Sequence, residues 1–82
     1  MASSLLDLES LLLEDLNNGL ETKQIALKYG KSEKDIWTRI QWLAYKLYVL
    51  GVPIQSIAEQ TKLSEEQVLE SIQAIEEGVI LD

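Results

Sequence analysis

Leucine at positions 5, 6, 8, 11, 12, 13 and 16 gives the N-terminal stretch an apolar arc covering well over half of a helical circumference. Ser4 stands three residues before Asp7, a capping pattern, and Asn17-Asn18-Gly19 supplies a stop, so the first predicted helix starts behind Ser4 and ends near Leu16. An arc this wide exceeds one packing face. Either a small bundle wraps around it, or part of it forms a dimer or partner interface.

Thr22 is placed to cap a short second helix, Lys23 to Tyr29, with Ile25, Ala26 and Tyr29 on its inner side and Gly30 as its stop. Ser32-x-x-Asp35 starts a longer one. Ile36, Ile40, Leu43 and Leu47 recur at steps of four, three and four, so they share one stripe of a helix reaching about Leu50, before Gly51. Its second half, Trp42 to Leu50, has little polar surface, which predicts a central strut with neighbours on several sides. Pro53 is pre-set for a turn or a first helical position ahead of a short helix carrying Ile54, Ile57 and Ala58. Ser64 caps the last helix, whose inner stripe reads Val68, Leu69, Ile72 and Ile75; Gly78 ends it, and the tail Val79-Ile80-Leu81 is expected to fold back on the core.

A shift of 32 residues aligns Gly19 with Gly51, Leu20 with Val52, Ile25-Ala26 with Ile57-Ala58 and Ser32-Glu33 with Ser64-Glu65. The same shift aligns Ile36 with Val68, Ile40-Gln41 with Ile72-Gln73 and Leu43 with Ile75. These are helix stops, buried stripes and helix caps. The expected fold is therefore all-α: a compact bundle of about five helices in one domain, with an N-terminal helix in residues 1–18 and two tandem units, 19–50 and 51–82. Two copies fall short of a solenoid, which needs at least three.

Charge divides the chain differently. Residues 1–22 carry five acids and no base, residues 23–46 carry six of the seven bases against two acids, and residues 47–82 carry seven acids against Lys62, for a net charge of −7. The total opposes binding to a polyanion, whereas the central block favours it. The chain has neither Cys nor His, which removes disulfides, thiol chemistry and the usual zinc ligands. Asp7, Glu9, Glu14 and Asp15 interrupt the leucine run, so it reads neither as a signal peptide nor as a membrane span, and a cytoplasmic location is expected.

Each unit resembles a helix-turn-helix, in which an apolar-Ala pair is followed four residues later by Gly, then by a cap serine and an apolar anchor. The first copy has Ile25-Ala26, Gly30, Ser32 and Ile36; the second has Ile57-Ala58, Lys62 in the glycine position, then Leu63, Ser64 and Val68. The match spans about residues 20–43 and 52–75, and the first copy departs from it at Lys31, where the turn residue is normally apolar. The resemblance implies that the second helix of the first unit enters the major groove of double-stranded DNA, offering Glu33, Lys34, Trp37 and Thr38 near its start. Lys34 and Thr38 would then reach base edges, while Lys23, Lys28, Lys31 and Arg39 suit phosphates. The equivalent face of the second unit, Glu65, Glu66, Leu69 and Glu70, is acidic and unsuited to DNA. Against this stands a plainer reading of the basic block as a solvated face balancing two acidic ends. Trp37, off the apolar stripe, is the candidate surface anchor of the two tryptophans, although core burial is the commoner fate of such a residue.

No Ser-His or Cys-His pair and no Gly-rich phosphate loop is present. The adjacent acids Glu65-Glu66 and Glu76-Glu77 point about 100° apart on a helix and do not converge on one metal or proton. The chain is thus expected not to be an enzyme and to use no cofactor, membrane or small-molecule substrate. Two functions fit. One is a small DNA-associated regulator that acts as a homodimer, because a single recognition helix buries little surface. The other is an acidic protein-interaction module or inhibitor, of the kind a virus or mobile element encodes, whose acidic and leucine-rich surfaces bind a protein partner and not DNA.

Overall fold

A computed structural model describes residues 8–79, and among these the protein is all-helical: α1 (Leu8–Asn17), α2 (Thr22–Tyr29), α3 (Glu33–Val49), α4 (Ile54–Thr61) and α5 (Glu65–Glu76). Ser4, Leu5, Leu6 and Asp7, which carry the expected first cap, lie outside the described residues, as do Ile80 and Leu81. α3 spans 17 residues and packs against α1, α2, α4 and α5 in turn, which makes it the strut of the bundle. Its stripe of Ile36, Ile40 and Leu43 is buried, with Ala44 beside it and Leu47 half-buried. Leu12 and Leu16 of α1, Ile25 and Ala26 of α2, Ile57 of α4 and Val68 and Ile72 of α5 close the same core.

The two units repeat in their burial as well as in their sequence. Ile25 and Ile57 are fully buried, as are Ile36 and Val68; Ile40, Leu43, Ile72 and Ile75 are buried deeper along α3 and α5. Ser32 and Ser64 both cap, their Oγ atoms accepting at 3.0 Å from the amides of Asp35 and Gln67. The helix ends repeat too: the amides of Leu20, Lys31, Val52 and Val79 donate back five residues to the carbonyls of Asp15, Ala26, Leu47 and Ala74, a closure that leaves the intervening residue left-handed. Gly30 takes that conformation at φ 66° in the first unit. Lys62 takes it at φ 64° in the second, a non-glycine residue holding a glycine's backbone. The next residue carries the other difference, because Leu63 is buried in the core whereas Lys31 is exposed. The Lys31 amide still bonds Ala26 at 2.9 Å, so the charged residue turns outward without opening the turn.

Four local expectations are corrected. α2 begins at Thr22, so the cap position belongs to Glu21, whose amide donates to Gln24 Oε1 at 2.9 Å. Leu69 is not on the inner stripe of α5: it is 54% exposed, since Val68, Ile72 and Ile75 keep the helical period and Leu69 falls about 100° off it. Val79 does not cover the core but stays exposed. The end of α3 is not enclosed by the described helices: Tyr48, Val49 and Leu50 are exposed.

Candidate functional site

Among the described residues, the bases of the central block divide into two that form ion pairs and four that do not. Lys28 Nζ donates to Asp15 Oδ1 at 2.8 Å, and Tyr29 Oη donates to Asp15 Oδ2 at 2.7 Å, so both oxygens of a buried carboxylate on α1 are occupied by the end of α2. The hydrogen bond from Lys28, then that from Tyr29, holds the Asp15 carboxyl below its ordinary range against the opposing effect of burial. The same carboxylate raises the Lys28 ammonium and, helped by burial, the Tyr29 phenol. Lys46 is paired with Glu9, fastening the first turn of α1 to α3. Lys28 thus stands as a strut between α1 and α2, half-exposed but already supplied with an anion.

Lys23, Lys31, Lys34 and Arg39 form no ion pair among the described residues. Lys31 ends the turn and Lys34 lies in the first turn of α3, both exposed at the same end of the first unit, while Lys23, also exposed, stands at the opposite end of α2. At about 100° per residue, Lys34, Thr38 and Gln41 fall on the side of α3 opposite Ile36, Ile40, Leu43 and Leu47, Lys34 exposed and Thr38 and Gln41 half-buried. Gln41 therefore joins the face that Lys34 and Thr38 begin; its spacing of seven from Lys34 is the signal that places it there. Arg39, five residues after Lys34, lies about 140° around the helix and does not share that face. Trp37 sits at the border toward α5 and is 37% exposed. With Gln41 it lines a groove of about 350 Å³ whose other wall is Gln67, Glu70, Ser71, Ala74 and Val79.

The second unit presents a different surface. Glu65, Glu66, Leu69 and Glu70 are all exposed on α5, and no cation pairs with these acids among the described residues. Glu70 thus brings a negative charge to the edge of the α3 face on the Trp37 side, and an anionic ligand meets least repulsion from the side of Lys31 and Lys34.

A third surface was not anticipated. Trp42, Tyr45, Lys46, Val49 and Leu50 line an open cleft of about 380 Å³ at the C-terminal end of α3. Tyr45 stacks edge-on to Trp42 with ring centroids 5.8 Å apart, and Tyr48 follows at 6.4 Å, so the rings form a ladder along the helix.

Among the described residues no three of Asp, Glu, His or Cys converge as a metal site would require, and no helix is long and apolar enough to cross a membrane. No protein-family model, curated protein or solved structure matches this chain.

Proposed function

We propose that this protein is a small, non-enzymatic DNA-associated regulator that contacts double-stranded DNA through its first helix pair, α2 and α3, and acts as a homodimer. The observation that carries the reading is the asymmetry between two copies of one backbone unit. In the first, exposed Lys31 and Lys34 stand at the start of α3 beside Glu33 and Asp35 and form no ion pair among the described residues; in the second, the same positions are the buried Leu63 and Glu66, which follows Glu65. Duplicated scaffolds with opposite charge at one position are suited to opposite tasks, the first to an anionic surface and the second to keeping that surface off other sites. Lys31, the departure from the helix-turn-helix pattern, fits this reading: pointing outward from a closed turn, it adds a cation beside Lys34.

The test is fluorescence anisotropy of a labelled random duplex at low and at physiological salt. Binding is expected to weaken linearly on a log-log plot, and Lys31→Ala with Lys34→Ala to lower the slope by about 2. An unchanged slope in the double variant would remove the first helix pair from the interface.

A second reading has its own support. The groove between α3 and α5 joins the Trp37 ring to Glu70 and two amide side chains, a lining suited to a lysine or arginine of a protein partner. No duplex binding even at low salt, together with binding of a basic peptide that Glu70→Gln weakens, would favour the protein-interaction module over the DNA regulator.

A further inference from the structure

We propose that the C-terminal half of α3 is a self-association surface, on which a second copy of this chain lies antiparallel about a two-fold axis near Lys46. The side chains lining the cleft are apolar apart from the Lys46 ammonium, and Val49 and Leu50 are 64% and 77% exposed. They stand on a long helix held on its other side by the core, so the surface is preformed and its burial costs little ordering.

Charge selects a second copy as the occupant. On a chain of net charge −7, this patch contains no acid among the described residues, and its lining cation there, Lys46, is paired with Glu9. Two copies meeting here place a neutral, apolar contact between them. α5, which carries the exposed acids, lies on the Trp37 and Gln41 side of α3, well around the helix from Trp42 and Val49, so the two-fold carries those acids apart. Antiparallel packing also sets Trp42 of one copy opposite Leu50 of the other, because both lie four residues from Lys46. Five lining side chains per copy fall short of the roughly 20–30 residues per side in a standard interface. The free dimer is therefore weak and forms in a concentration-dependent equilibrium.

The geometry has a consequence for the proposed DNA contact, on which this part alone rests. Lys34 lies twelve residues before Lys46, about 18 Å along a helix rising 1.5 Å per residue. The two Lys34 positions of the dimer are then about 36 Å apart, close to one turn of B-form DNA. One helix thus performs two tasks, with a basic N-terminal half that meets the duplex and an aromatic C-terminal half that sets the spacing.

Sedimentation equilibrium from micromolar to near-millimolar concentration is expected to show a monomer–dimer equilibrium, and Leu50→Glu to hold the protein monomeric with an unchanged thermal melt. The chain has no cysteine, so Lys34→Cys takes a single spin label per copy, and dipolar spectroscopy without DNA is expected to give a distance of about 35–45 Å. A monomer at every concentration, a Leu50→Glu variant that dimerises like the wild type, or a label distance below about 25 Å would overturn the proposal. Self-association without duplex binding would keep this interface and remove the DNA reading; duplex binding by a protein that never self-associates would do the reverse.

Discussion

Replacing Asp15 with Asn tests whether the two hydrogen bonds it accepts hold α1 onto the first helix pair. The substitution keeps the shape of the side chain but removes its charge and one of its acceptors, leaving Lys28 Nζ at 2.8 Å and Tyr29 Oη at 2.7 Å to compete for a single neutral oxygen. Lys28 is half-exposed and screened by solvent, so its share is the small one. The Tyr29 hydroxyl bonds an ionised acceptor in a partly buried setting, a bond of about 1.5–3 kcal/mol. A loss of about 2–3 kcal/mol is expected, out of a total of about 5–15 kcal/mol for a domain of this kind. For a chain of this length that is a fall in Tm of roughly 10–20 °C by calorimetry or circular dichroism. Tyr29→Phe, with the double variant, completes a cycle in which the two positions are expected to couple. A loss below about 0.5 kcal/mol, or no coupling in the cycle, would refute the clamp.

The same cluster gives stability a dependence on pH at both ends. The Asp15 carboxyl is lowered from its ordinary 3.8, so its contribution is complete above that value and disappears as pH falls through the lowered one. Lys28 and Tyr29 are raised from 10.5 and 10.0, so their contribution is complete below those values and disappears as pH rises through the raised ones. Denaturant midpoints measured across pH should show both limbs in the wild type and a flatter profile in Asp15→Asn; equal profiles would contradict the assignment. Lys62→Gly relieves a left-handed lysine and is expected to raise stability by about 0.5–1 kcal/mol, whereas Gly30→Ala, at the matching position, should lower it by about 1 kcal/mol or more. Ser64→Ala removes an acceptor for the Gln67 amide and should cost about 1 kcal/mol in chemical denaturation. Leu69→Ala should change stability by less than about 0.5 kcal/mol and Ile72→Ala by about 2–5 kcal/mol, the contrast that separates an outward leucine from an inward isoleucine.

The architecture was legible wherever one residue type answers one local demand. Ser32 and Ser64 sit where a helix needs a side-chain acceptor, Gly30 where it needs a left-handed end, and the isoleucines of α3 at the helical period, so those elements follow from spacing alone. What spacing does not carry is which neighbour a side chain meets. Asp15 reads in the sequence as one more acid breaking a leucine run, because its partners lie 13 and 14 residues away across a turn. The same contact takes Lys28 out of the group of unpaired cations. Leu69 reads as stripe because it adjoins Val68, and only the direction of the core separates the two. The aromatic ladder of α3 reads as core for a similar reason: composition records that the second half of the helix is apolar, while the positions of α1, α4 and α5 decide which part of that surface they leave open. The candidate DNA face lies between these extremes. Lys34 and Thr38 are one helical turn apart and could be paired from the sequence; that Arg39 points elsewhere follows from its spacing once α3 is one continuous helix.

The most direct measurement of the central proposal is a titration of the isotopically labelled protein with a short duplex, followed by amide chemical shifts. Shifts concentrated at Lys23, Lys31, Lys34, Thr38 and Gln41 and fading with added salt are the expected result. Shifts confined to α5 and the Trp37 groove, or none at low salt, would contradict DNA contact by the first helix pair.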